Sequence, residues 1–229
     1  MRTILCYGDS NTNGCNPQCD IRDWETVGKE KVPVRYERKV RWTGVLQEIL
    51  GDDYYVIEEG LPGRTFVYDD AVLPYRSGKD YIRPCMMSHA PLDLLVVMLG
   101  TNDAKALYGS NEYSFAVGME EFLKIVKDPS LWEPDQEIKI LLIAPPPIGD
   151  AIETSPYYGM FDERSVALSK KFAELYKKIA KVQGCYYLNA GDYAQPDPGD
   201  SLHFSVGDHR MLAEGIAVKI KEILEEGKI

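Results

Sequence analysis

Residues 92–103 read LDLLVVMLGTND. From Leu94 to Leu99 every residue is apolar, without the alternation that a strand with one wet face requires. A run apolar on both faces and stopped by a glycine, here Gly100, is how a strand looks in a parallel sheet covered by helices on both sides. Ile140-Leu141-Leu142-Ile143 repeats the pattern. Outward from these two runs, Arg2–Tyr7, Tyr54–Glu58, Leu92–Leu99 and Ile138–Ala144 read as strands, and Cys185–Leu188 as a weaker fifth.

Helical patterns fall between the strands. Trp42, Val45, Leu46 and Ile49 mark one, ended by Gly51. Phe115, Met119, Phe122 and Val126 mark another. Leu168, Phe172, Leu175, Ile179 and Val182 form a continuous stripe with Gly184 as its C-cap. A last helix carries Leu212, Ile216, Ile220 and Ile223, with Ser205 as N-cap and Asp208 three residues on. Strands alternating with helices predict an α/β fold, doubly wound and flavodoxin-like, in three layers around a central five-stranded parallel sheet. The whole chain, residues 1–229, reads as a single domain. Ligands of such sheets bind beyond the carboxyl ends of the strands, so the informative loops are those that follow each strand. Two connections are long, Asn13–Lys39 and Pro145–Phe161, and are expected to wall a pocket or contact another subunit.

Composition narrows the function. The chain is 45% hydrophobic and 27% charged, as in a soluble globular protein, and its formal charge is -10. That charge argues against nucleic acid and against an anionic membrane surface as partners. No run of 18 apolar residues is present, and the first residues do not form a signal peptide, so a cytoplasmic enzyme is expected. The cysteines Cys6, Cys15, Cys19, Cys85 and Cys185 are scattered, without a Cys-x-x-Cys pair, and read as free thiols of a reducing compartment. Three histidines, His89, His203 and His209, leave little room for a metal cluster. Neither a metal nor a cofactor is expected.

Each strand-end loop carries an unusual set of residues: Gly8-Asp9-Ser10-Asn11, then Gly60-Leu61-Pro62-Gly63-Arg64-Thr65, then Gly100-Thr101-Asn102-Asp103, and near the C-terminus Asp200-Ser201-Leu202-His203. Acyl transfer needs a nucleophile, a base, a group that orients the base, and donors for an oxyanion. Ser10 can be the nucleophile, His203 its base, and Asp200 the group that fixes the imidazole tautomer. The N–H groups of Ser10 and Gly63 and the amide of Asn102 can receive the oxyanion. Each feature has a plainer reading as turn, cap or structural histidine; their meeting at one sheet edge is the stronger signal. Among the neighbours, Asp9 is expected to cap backbone N–H groups, Asn11 to support the turn, Arg64 to form a structural ion pair, and Asp103 to orient or cap. His209 reads as structural or exposed, and His89 as lying at the opposite sheet edge. Tyr157, Tyr158, Met160 and Phe161 either line an acyl pocket or pack. Other classes fit less well. A metal-dependent phosphoesterase needs histidines near the first aspartate. A flavodoxin-like binding domain needs no Asp200-x-x-His203, and a phosphate loop is missing after the first strand. An α/β-hydrolase proper requires GxSxG, which is absent.

Taken in order, these four blocks resemble the SGNH (GDSL-type) hydrolases, a serine esterase family. The resemblance runs from Ile4 to about His209. Arg41-Trp42-Thr43-Gly44-Val45-Leu46, Ile57-Glu58-Glu59-Gly60-Leu61 and Pro145-Pro146-Pro147 resemble the branch with arylesterases and acyltransferases. The resemblance implies Ser10, Asp200 and His203 as catalytic triad, and Ser10, Gly63 and Asn102 as oxyanion hole. It implies a small-molecule ester substrate, short-chain or aryl, with acetylated carbohydrate as the alternative, and a homo-oligomeric assembly. Acyltransferase side activity is a further implication. It is weakened because Asn13 and Cys15 stand where acyl-transferring members carry apolar aromatics. Activity is expected to rise with pH as His203 loses its proton.

Overall fold

A computed structural model describes residues 1–19, 34–131 and 138–225. Five strands, β1 (Arg2–Gly8), β2 (Tyr54–Gly60), β3 (Leu94–Met98), β4 (Lys139–Ala144) and β5 (Tyr186–Asn189), form one sheet in the order β2-β1-β3-β4-β5. All neighbouring pairs are parallel. This is the flavodoxin-like order, which turns back on itself between β1 and β3. In register, Ile4 lies opposite both Val56 and Leu94, so β1 is an interior strand.

The uninterrupted apolar runs follow from this position. Successive strand residues point to opposite sheet faces. Leu5, Tyr7, Leu95, Val97, Ile140 and Leu142 enter one core with α3 (Gly78–His89), α4 (Glu112–Val126) and α6 (Phe172–Gln183). Ile4, Cys6, Leu94, Val96, Met98, Leu141 and Ile143 enter a second core with α2 (Trp42–Leu50) and α7 (Val206–Glu225). Both faces are therefore dry, and each buried Leu, Ile or Val contributes about 1.5–3 kcal/mol of transfer free energy.

Four helices show what the pattern did and did not determine. At α7 the expected cap is present: the Ser205 hydroxyl donates to the Asp208 carboxylate, and the Asp208 N–H returns a bond to Ser205 Oγ at 3.3 Å. The stripe from Leu168 to Val182 is two helices, α5 (Glu163–Ser169) and α6, parted at Lys170-Lys171. In α6 the buried face is Phe172, Tyr176, Ile179 and Ala180; Val182 falls on its flank and is 77% exposed. Gly184 caps α6 in the left-handed conformation at φ 62°. The helix between β2 and β3, α3, could not be located from sequence. It holds Pro84 in its interior and buries only Gly78, Ile82, Cys85 and Met86.

Candidate active site

The chain leaves β1 through a turn that only glycine permits. A Cβ on Gly8 would stand 2.1 Å from Thr12 Oγ1 and 2.8 Å from the Met98 carbonyl. Asp9 caps the short helix α1 (Ser10–Asn13), accepting the Asn11 N–H at 3.0 Å, as expected. Gly14 ends it at φ 85° and donates to the Ser10 carbonyl at 2.8 Å. Of the two hydroxyls in the loop, Thr12 is fully buried against Gly8 and Ser10 is half-buried. Burial raises the Asp9 carboxyl to about 6, against the Asn11 hydrogen bond that lowers it.

The loops after β2 and β3 hold one another. Leu61-Pro62-Gly63-Arg64 is a tight turn with the Arg64 N–H on the Leu61 carbonyl at 3.1 Å. Gly63 at φ 82° fits the third position of a type II turn, where glycine is favoured. Asn102 Nδ2 donates to the Arg64 carbonyl at 3.2 Å. Asp103 receives the Phe66 N–H at 2.9 Å, orienting the β2 loop rather than capping its own turn. Burial pushes the Asp103 carboxyl up to about 7, opposed by that bond and assisted by the charge of Asp9. Arg64 departs from expectation. Among the described residues it has no carboxylate partner. Its Nη1 donates to the Gly8 carbonyl at 2.9 Å and to the Glu59 carbonyl, and its guanidinium lies 4.0 Å from the Tyr7 ring centre. The buried cation thus fastens the ends of β1 and β2 together.

The fourth loop follows β5. His203 Nδ1 and Asp200 Oδ2 are 2.6 Å apart. The other carboxylate oxygen, Oδ1, accepts the N–H groups of Leu202 and His203, each at 2.9 Å. Ser201 between them is held at φ 64°, a strained region for a residue with a side chain. Burial works to raise the Asp200 carboxyl, but the bonds from the His203 ring and the two N–H groups hold it below its ordinary value. Asn11 Nδ2 donates to the Leu202 carbonyl at 3.0 Å and ties this loop to that of Ser10. Sequence reasoning gave Asn11 only a local turn. A partner 191 residues away carries no sequence signal.

The remaining expectations divide. Tyr157 stands edge-on to His203, ring centres 5.5 Å apart, whereas Phe161 is buried core and Tyr158 and Met160 are exposed. His209 is wholly buried. Its Nδ1 accepts the Trp42 N–H at 3.3 Å, and burial depresses its pKa to about 3. His89 ends α3, yet its ring reaches Glu59 near the carboxyl end of β2, 3.1 Å away, instead of standing apart at the opposite edge. The pocket wall expected from Asn13–Lys39 falls largely on residues 20–33, outside the described residues. Among the described residues no helix is long and apolar enough to cross a membrane.

A parallel sheet of this order, with a serine after β1, an asparagine after β3 and an aspartate–histidine pair beyond β5, defines a class of carboxylic ester hydrolases. Within that class the chain belongs to the GDSL-like lipase/acylhydrolase family, whose model matches residues 6–210. Solved structures agree. The native aryl esterase of M. smegmatis is 32% identical, with a TM-score of 0.86 over 98% of this chain and 100% of that one. A carbohydrate acetylesterase from Sinorhizobium meliloti is 35% identical, with a TM-score of 0.85 over 97% and 100%. A lipase/acylhydrolase from Enterococcus faecalis, 18% identical with a TM-score of 0.64, shares the fold. A search of the curated proteins found no match to the chain.

Proposed function

We propose that the chain is a one-domain serine esterase in which Ser10 attacks the ester carbonyl and His203 takes its proton at Nε2. The carrying observation is the 2.6 Å contact of His203 Nδ1 with Asp200, whose second oxygen is committed to backbone N–H groups. That arrangement puts the proton on Nδ1, leaves Nε2 as the basic nitrogen, and stabilises the imidazolium once formed. The tetrahedral oxyanion is received by the N–H groups of Ser10 and Gly63 and by Asn102. One amide hydrogen of Asn102 is engaged by the Arg64 carbonyl, which leaves the second for the oxyanion. His203 then protonates the departing alcohol, and water activated by the same ring releases the acid and restores Ser10.

Short-chain and aryl esters are the first reading of the substrate, in keeping with the aryl esterase of similar structure. A second reading, O-acetylated carbohydrate, rests on a cleft of about 650 Å³ beside the Gly63 turn. Its lining includes Glu59, Asp69 and Asp80, the rings of Tyr75 and Tyr81, and Arg64. Carboxylates, phenol rings and a guanidinium suit a hydroxyl-rich leaving group. Hydrolysis outweighs acyl transfer in this reading because Asn13 and Cys15 keep polar and sulfur-bearing side chains near the nucleophile. Initial rates on p-nitrophenyl esters of rising chain length, beside acetylated xylo-oligosaccharides, separate the two. Faster turnover of the acetylated sugars selects the second reading; a preference for simple aryl esters selects the first.

A further inference from the structure

The ring contact of His89 with Glu59 belongs to a larger cluster. Tyr81, Cys85 and His89 are spaced four apart on α3, so they share one helix face. That face meets Glu59 of the edge strand β2. Glu59 Oε1 lies 3.1 Å from His89 Nε2 and 3.5 Å from Tyr81 Oη. One ligand atom each from Glu59, Cys85 and His89 lie within 4.8 Å of one another. A tetrahedral zinc with bonds of about 2.0–2.3 Å separates its ligands by about 3.3–3.8 Å, within reach of small side-chain rotations from this geometry.

We propose that Glu59, Cys85 and His89 form a binding site for a divalent cation of the zinc class. A thiolate and an imidazole select zinc, cobalt or copper over magnesium and calcium, which prefer all-oxygen shells. Binding replaces the Cys85 thiol proton by a metal–sulfur bond and releases that proton to solvent. The dication, one thiolate, one carboxylate and a neutral imidazole sum to zero charge, so the site suits its largely buried position. Cys85 is 1% exposed, while the Glu59 and His89 side chains keep 20% and 31% of their surface. Glu59 and Tyr81 also line the 650 Å³ cleft, which gives the ion its approach and water the fourth coordination position. The cluster was hidden in the sequence because its carboxylate comes from a strand 26 residues before Cys85 (85 minus 59).

The test uses the full chain stripped with a chelator and titrated with Co²⁺. The expected result is a near-ultraviolet thiolate-to-cobalt charge-transfer band that saturates at one equivalent and is lost when Zn²⁺ is added. Cys85→Ser abolishes the band, His89→Gln weakens affinity at least about tenfold, and Cys15→Ser leaves both unchanged. Zn²⁺ raises the melting temperature of the parent and not that of the His89→Gln variant. His89 ends a helix and is part-exposed, so that variant keeps the test open if Cys85→Ser folds poorly. Absence of the band, its survival in Cys85→Ser, or equal Zn²⁺ affinity in parent and His89→Gln overturns the proposal. None of these outcomes depends on ester turnover.

Discussion

Asp200 divides its two oxygens between the His203 ring and the backbone beneath it. Replacing Asp200 by Asn keeps a similar shape but offers an N–H toward Nδ1, which favours the wrong tautomer. Steady-state kinetics should show kcat reduced by ~10²–10⁴ with KM little changed. In the proposed mechanism Asn102 differs in kind, since its part is to act on charge that develops only in the transition state. Asn102→Ala is expected to lower kcat by ~10²–10³. Thermal melts of the same variant separate that effect from loss of the bond to the Arg64 carbonyl. The places of Ser10, Gly63, Asn102, Asp200 and His203 in the loops after the strands were legible in the sequence, because the strand pattern fixes where those loops lie. Arg64 and Asn11 were misread because their partners are main-chain carbonyls, and any residue supplies one.

The elements place these loops through glycines at close approaches. A Cβ on Gly60 would lie 2.2 Å from the Asn13 N–H nitrogen, so α1 can dock on the end of β2 only if residue 60 is glycine. Gly60→Ala is expected to cost ~1–3 kcal/mol in urea unfolding and to lower kcat as well, because it displaces the loop of Ser10. The contrast is Asn111→Ala, which removes the α4 capping box, whose side chain accepts the Ser114 N–H at 3.0 Å. That change should cost about 1 kcal/mol and leave kcat as it was. The interior strands β1, β3 and β4 were readable because burial on both faces leaves an apolar run. Helix α3 was not, since only three apolar side chains, Ile82, Cys85 and Met86, supply its buried face and Pro84 interrupts its pattern. The break at Lys170-Lys171 was equally silent, as both halves of the stripe bury apolar residues.

At the scale of the whole molecule, buried ionisable groups set opposing responses to pH. His209 is held near 3 when folded, against about 6.5 in an unfolded chain. The unfolded state therefore binds the extra proton, and this contribution to stability is present above about pH 6.5 and is lost on acidification toward 3. Asp103, raised to about 7, has the other sign: its contribution is present below about pH 3.9 and is lost as pH rises through 7. Relative to the parent, His209→Gln should thus gain stability as pH falls from 7 to 4, and Asp103→Asn as pH rises over the same span. Urea midpoints across that range give both slopes. The central claim, that Ser10 carries the acyl group, has a more direct test: acid quench during turnover of p-nitrophenyl acetate, followed by peptide mass mapping. One acetyl group on the peptide containing Ser10, absent from Ser10→Ala, is the predicted result, with turnover of that variant down by at least about a thousandfold. Acetylation elsewhere, or a Ser10→Ala variant within about tenfold of the parent, would contradict it.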